Sequence, residues 1–229
     1  PGKFSDLLSL DSCSACPTGS YQPAYVAQAA SDCIVCGAGE VSTTEAAGPS
    51  SSCVSCAAGK HLEDAGTSAA EHSSVDNCLD CGAGKYAVET GTASCTDCGK
   101  GKFNEGTGAD AESSCTACEN GKWSDAVGLQ HPSGCRACPP GSYSDALGGT
   151  SLAFCQICGS GKYNLNAGSA TISACQSCQA GKFLPDAGTS ATLHNSVDKC
   201  LDCPVGKFTS TPSSDQCSLC GQGKYLDEI

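Results

Sequence analysis

The chain has 229 residues, a net charge of −12, 22 cysteines, no methionine and only 5% aromatic residues. An acidic surface of this kind repels nucleic acid and anionic membranes, so neither is an expected partner. So few large apolar side chains cannot fill the interior of an ordinary domain of this length, and no apolar run approaches the roughly 18 residues of a membrane span.

Every cysteine stands in a Cys-x-x-Cys pair, the first members being Cys13, Cys33, Cys53, Cys78, Cys95, Cys115, Cys135, Cys155, Cys175, Cys200 and Cys217. The steps between them are 20, 20, 25, 17, 20, 20, 20, 20, 25 and 17 residues, which is a tandem array of small modules. In chain order it divides into a partial module over 1–15, modules over 16–35 and 36–55, a long one over 56–80 and a short one over 81–97. Modules over 98–117, 118–137, 138–157 and 158–177, a long one over 178–202, a short one over 203–219 and a partial one over 220–229 follow.

Energetics make the cysteines structural. Ordering the backbone costs roughly 1–2 kcal/mol per residue, whereas one buried aliphatic or aromatic side chain returns about 1.5–3 kcal/mol. A disulfide closing a loop of about 15–20 residues contributes roughly 3 kcal/mol, mainly by constraining the unfolded chain. The expected fold class is therefore small disulfide-rich repeats: an elongated rod or solenoid of short β-ribbons and turns with little helix. No segment keeps an apolar stripe for three turns, and the variable stretches are rich in Gly, Ser, Asp and Pro. The expected location is oxidising and extracellular, either secreted or on the cell surface.

Three positions recur. A glycine lies three residues after each second cysteine, from Gly19 to Gly223, and predicts a positive φ or a close backbone approach. Lysine follows it in most modules, and its stem is expected to cover a neighbouring ring while the ammonium meets local carboxylates. An aromatic follows in turn, at Phe4, Tyr21, Tyr86, Phe103, Trp123, Tyr143, Tyr163, Phe183, Phe208 and Tyr225, with Val41 and His61 in the two remaining modules. The rings are expected inside, packed on a disulfide and glycine as a thin spine; a ladder of glycan-stacking rings is the competing reading.

Pairing the second cysteine of each pair with the first of the next gives ten bridges: Cys16–Cys33, Cys36–Cys53, Cys56–Cys78, Cys81–Cys95, Cys98–Cys115, Cys118–Cys135, Cys138–Cys155, Cys158–Cys175, Cys178–Cys200 and Cys203–Cys217. Cys13 and Cys220 then remain unpaired in modules cut by the chain ends, which suggests an excerpt from a longer array. A first-to-first, second-to-second scheme stays open beside it, though eleven pairs do not group in twos.

A longer period overlies the short one. Cys53 to Asn77 matches Cys175 to Lys199 at 17 of 25 positions, 122 residues apart. His72 with Asp76, and His194 with Asp198, offer a metal site twice over; loop hydrogen bonding is the reading taken. The cysteine spacing also satisfies a zinc-ribbon template, but eleven pairs do not divide evenly among four-ligand sites, so no metal or cofactor is expected. No nucleophile–base constellation, phosphate loop or paired-carboxylate site stands out, and no catalytic residue is assigned. Ser42-Thr43-Thr44 and Thr209-Ser210-Thr211-Pro212-Ser213-Ser214 are weak O-glycan signals.

The unit seen in Cys138-Pro139-Pro140-Gly141-Ser142-Tyr143 and Cys81-Gly82-Ala83-Gly84-Lys85-Tyr86 resembles the ephrin-receptor-like and TNF-receptor-like cysteine-rich repeats. In ephrin-receptor-like repeats one bridge runs from the Cys-x-x-Gly-x-Tyr cysteine to the next cysteine downstream, which implies the first pairing scheme above. Such repeats build extracellular rods, and long runs of them resemble mastigoneme-type surface proteins. The alternating two-bridge modules of TNF receptors are missing here. The open-ended array, the longer period and the missing catalytic set point to a structural, non-enzymatic part of an extracellular fibre or surface appendage, expected to associate with itself, with other extracellular structural proteins or with glycans. The alternative is a receptor or adhesin ectodomain.

Overall fold

The computed structural model describes residues 1–5, 12–25 and 27–221. Gly223, Lys224 and Tyr225 lie outside the described residues. Two compact units are present: Pro1–Cys98 with Asn104–Thr116 and Gly128–His131, and Gly99–Phe103 with Ala117–Val127 and Pro132–Ile229. Each is built by the same rules, and no α-helix occurs among the described residues.

Among the described residues the strands are two residues long and pair into eleven two-stranded ribbons. In the first unit Lys60 pairs with Asp80 and His61 with Leu79, antiparallel; in the second, Ser142 pairs with Ile157 and Tyr143 with Gln156. One strand is thus the residue after the glycine plus the slot residue; the other is the x-x of the following Cys-x-x-Cys. A disulfide closes every ribbon but that of Lys3–Phe4 with Ser14–Ala15, where Cys13 is free.

Module length is set between the strands. Modules of the 20-residue step carry one three-residue 3-10 turn before the cysteine, as at Ser50–Ser52 or Leu152–Phe154. The two long modules carry two turns, Ala69–His72 with Val75–Asn77 and Ala191–Leu193 with Val197–Lys199. No such turn separates the strands of the short module, Lys85–Tyr86 and Thr96–Asp97. Insertions and deletions therefore change the number of turns and leave the ribbon intact.

The interior is mostly sulfur and hydrogen-bonded polar side chains. The second cysteines Cys16, Cys36, Cys81, Cys98, Cys118 and Cys138 have no exposed surface. Beside them lies the residue after the aromatic slot: Gln22, Ser42, Leu62, Ala87, Asn104, Ser124, Ser144, Asn164 and Leu184 are all buried. Asn164 shows why a polar residue suits this place. Its Nδ2 donates to the Ser142 carbonyl and to Ser169 Oγ, each at 2.8 Å, and its Oδ1 accepts from the Asn166 N–H at 3.1 Å. Enclosed amides that keep their partners avoid the penalty of an unsatisfied group.

This corrects the expectation of a buried aromatic spine. Tyr143 is buried against Cys158 and Cys175, and Tyr163 packs on the cluster of Cys178, Leu184 and Cys200. Most other rings are only half-buried, and Phe208 is 38% exposed. Successive side chains of an extended strand point to opposite sides, so when the residue after the ring faces inward the ring turns outward.

A second glycine position emerges ten residues after each second cysteine. Gly66, Gly91, Gly108, Gly128, Gly148, Gly168 and Gly188 all have positive φ, and the same place is taken by Ala46 (φ 56°) and Ser213 (φ 62°), the positive-φ residues other than glycine among those described. A left-handed conformation costs a side-chain-bearing residue roughly 1–2 kcal/mol, partly offset by the greater unfolded freedom of glycine. Ala46→Gly and Ser213→Gly are each expected to raise stability by about 0.5–1 kcal/mol on that balance. Denaturant titration with bridges intact is the measurement, and a loss of stability in both variants contradicts the assignment.

Candidate functional site

The repeated site is the surface by which one module receives the next, and main-chain groups make it. In the first unit the Gly39 N–H donates to the Leu62 carbonyl at 3.0 Å, and the Gly39 carbonyl accepts from the Cys56 N–H at 2.7 Å. The Gly91 N–H then donates to the Cys56 carbonyl at 2.8 Å, and Leu62 N–H to the Thr92 carbonyl at 3.2 Å. The second unit repeats the scheme: Gly121 N–H to Ser144 O and Cys138 N–H to Gly121 O, both 2.8 Å, then Gly148 N–H to Cys118 O at 2.8 Å and Ser124 N–H to Gly149 O at 2.9 Å.

The recurrent glycine has two jobs here. At Gly121 φ is +78°, and a Cβ would lie 2.2 Å from the carbonyl oxygen of Gly168, which belongs to the module two steps on. Gly84 stands likewise, with a Cβ position 2.2 Å from the Gly128 oxygen. Positive φ and close backbone approach thus coincide at one residue.

The structure joins Cys16 to Cys33, Cys36 to Cys53, Cys56 to Cys78, Cys81 to Cys95 and Cys98 to Cys115 in the first unit. In the second it joins Cys118 to Cys135, Cys138 to Cys155, Cys158 to Cys175, Cys178 to Cys200 and Cys203 to Cys217. Cys13 and Cys220 are free.

The long modules add a clamp. His72 is wholly buried; its Nδ1 lies 2.6 Å from the Glu40 carbonyl oxygen of the preceding module and its Nε2 lies 2.8 Å from Asp64 Oδ2. His194 repeats this, 2.7 Å from the Lys162 carbonyl and 2.9 Å from Asp186 Oδ2. Each ring thus links the main chain of the preceding module to an aspartate of its own loop. The partner is therefore Asp64 and not Asp76, and Asp186 and not Asp198, which corrects the sequence pairing. Asp76 and Asp198 instead accept from Ser74 and Ser196 in their own 3-10 turns. The overlooked signal was the run Asp64-Ala65-Gly66-Thr67, a sequence suited to a turn in which the aspartate caps the backbone ahead of it. Asp64 accepts the N–H groups of Gly66 and Thr67 at 3.1 and 2.9 Å.

The Thr67 hydroxyl and the His72 ring, with backbone N–H groups of Thr67 and Ser68, hold the Asp64 carboxyl well below the usual carboxylate range. Thr189 and His194 do the same for Asp186. A carboxyl lowered by folding stabilises the protein above its unfolded value of about 3.9 and loses that contribution as pH falls through the folded value. Thermal stability is expected to drop on acidification below about pH 4, and less steeply in the Asp64→Asn, Asp186→Asn double variant. Parallel melting curves across pH check this; identical acid profiles count against it.

Four of the lysines meet carboxylates: Lys60 with Asp80 at 2.7 Å, Lys85 with Asp97 at 2.6 Å and Lys182 with Asp202 at 2.5 Å across their ribbons, and Lys122 with Glu119 at 2.9 Å. These are exposed pairs and contribute little stability each, but they neutralise four of the cations that a row of sulfate-binding groups would use. Arg136 lies over the Trp123 ring at 5.2 Å and reaches Asp125 at 3.4 Å. Among the described residues the ligand atoms of His61, Cys81 and Cys95 lie within 4.8 Å of one another, but the two sulfurs are bonded together and offer no thiolate.

Comparison with known proteins agrees with this repeat type. The family model described as tyrosine-protein kinase ephrin type A/B receptor-like matches residues 2–53. That match, together with the tandem bridges, suggests an extracellular ectodomain-type protein. No curated protein matches the chain. No helix among the described residues is long and apolar enough to cross a membrane.

Proposed function

We infer that the protein is a structural, non-enzymatic component of an extracellular fibre or cell-surface appendage of the mastigoneme kind, assembled by lateral association of its own copies. The observation that carries this is a pair of exposed apolar sites repeated at the long period. Val75 and Leu79 are 60% and 59% exposed, and Val197 and Leu201, 122 residues further along, are 48% and 50% exposed. Apolar side chains exposed at matching places of the long period suit self-contact at regular intervals. The main-chain docking scheme supports the same reading, because it extends an array without a dedicated ligand site.

Electron microscopy of native material tests it. Fibres are the expected result, and single particles only would overturn the reading. Replacing Val75, Leu79, Val197 and Leu201 together by serine is expected to shift fibres to single chains. A receptor or adhesin ectodomain is the second reading, favoured by the ephrin-receptor-like match over residues 2–53.

A further inference from the structure

The two short modules hold bridges of identical span, Cys81–Cys95 and Cys203–Cys217, each 14 residues apart and at matching places in the 122-residue period. Their second-cysteine sulfurs are similarly enclosed, Cys81 being 0% and Cys203 8% exposed, while Cys95 and Cys217 are partly exposed. Among the places where the two periods differ, one touches the bridge. The aromatic slot of the preceding long module holds His61 beside the first bridge and Phe183 at the matching place in the second period. Both slots sit in the same ribbon register, His61 opposite Leu79 and Phe183 opposite Leu201.

His61 Nδ1 lies 3.1 Å from the Leu79 carbonyl oxygen and 3.3 Å from Cys95 Sγ. A carbonyl oxygen accepts only, so Nδ1 carries the proton and directs it at both the oxygen and the sulfur. A disulfide sulfur is a weak acceptor. A thiolate in the same place is a strong one, and a hydrogen bond to a charged group is among the strongest that proteins make. His61 therefore favours the reduced state of this bridge over the oxidised one, and phenylalanine cannot.

We propose that Cys81–Cys95 is a thiol–disulfide exchange site, opened in preference to the other bridges by a dithiol reductant, with His61 holding the Cys95 thiolate. A thiolate of the dithiol attacks the accessible Cys95 sulfur; the new S–S bond forms as Cys95–Cys81 breaks, and Cys81 leaves as a thiolate. The second thiolate of the reagent then attacks the first reagent sulfur, closing the reagent's own disulfide and releasing Cys95 as the thiolate that Nδ1–H meets. Two electrons pass from the dithiol to the bridge, and the two reagent protons reach the cysteines through solvent. Opening frees the short module from its staple, and with it Gly91, whose N–H docks on the Cys56 carbonyl.

The internal control makes the test direct. The intact chain is equilibrated with mixtures of reduced and oxidised dithiothreitol, thiols are trapped by alkylation, and each cysteine is quantified by mass spectrometry of its peptide. Cys81–Cys95 is expected to open at a reduced-to-oxidised ratio about tenfold to a hundredfold lower than Cys203–Cys217, a charge-assisted hydrogen bond being the difference, with each tenfold equal to about 30 mV. His61→Phe should bring the two bridges together, and Phe183→His should make Cys203–Cys217 labile in turn. Midpoints within threefold of each other in the unaltered chain, a reversed order, or no response to either substitution would overturn the proposal. The Phe183→His arm stands even if His61→Phe impairs folding.

Discussion

Gly121→Ala is expected to destabilise its module array by about 3 kcal/mol or more, while Gly159→Ala is expected to be neutral or slightly stabilising. At Gly121 a methyl group meets two obstacles at once: a φ of +78° and a carbonyl oxygen 2.2 Å away. The left-handed backbone alone costs roughly 1–2 kcal/mol. Relieving the overlap means moving the Gly168 main chain, which strains the 2.8 Å bond from the Gly168 N–H to the Cys138 carbonyl. A lost buried bond adds about 1–3 kcal/mol. Gly159 has no positive φ and nothing within 4 Å of its Cβ position, so alanine there only restricts the unfolded chain. Denaturant titration with the bridges intact separates the two, and equal stabilities would refute the close-approach role.

His72→Ala and His194→Ala should each lower stability by about 3–4 kcal/mol, combining a cavity with oxygens left without partners. The ring has no exposed surface, and its loss removes the partner of the Glu40 or Lys162 carbonyl and of Asp64 or Asp186. The damage should be local, because the bridges Cys56–Cys78 and Cys178–Cys200 still hold the loop ends. Hydrogen exchange is expected to rise over residues 62–77 and 184–199 while distant ribbons stay protected. The two substitutions share no partner, so the double variant should show the sum of the single effects. A change under about 1 kcal/mol in both would reduce the clamp to a surface ornament.

The ribbon-and-turn character of the fold was legible because it follows from what the composition lacks. Without an apolar stripe no helix could find a face to bury, and a Cys-x-x-Cys beside Gly-x-aromatic leaves little besides a short strand pair. The position of the interior was not legible. Aromatics were expected inside on the usual ranking of side chains, yet the enclosed place belongs to the next residue, often Ser, Asn or Gln. Hydropathy does not reveal this, since Gln22, Asn104 and Asn164 are buried by donating to carbonyls and the serines are small enough to be enclosed. The glycine ten residues past a second cysteine was readable in principle, unbroken from Gly66 to Gly188 at one offset, but Val26, Ala46 and Ser213 hold that place in the outer modules. His72 misled through proximity: Asp76 is nearer in sequence than Asp64, but it lies in the following 3-10 turn, while Asp64 begins the turn that folds back beneath the ring.

Docking through peptide groups has a genetic corollary. Since the contacts from Gly39 to Leu62 and from Gly121 to Ser144 involve no side-chain lettering, any module can succeed any other without loss of fit. Unequal crossing-over within such a gene lengthens or shortens the product in whole modules, and each recombinant inherits a workable joint. Interchangeable parts of this sort let an organism tune reach by copy number, leaving individual modules free to diverge on their outer surfaces.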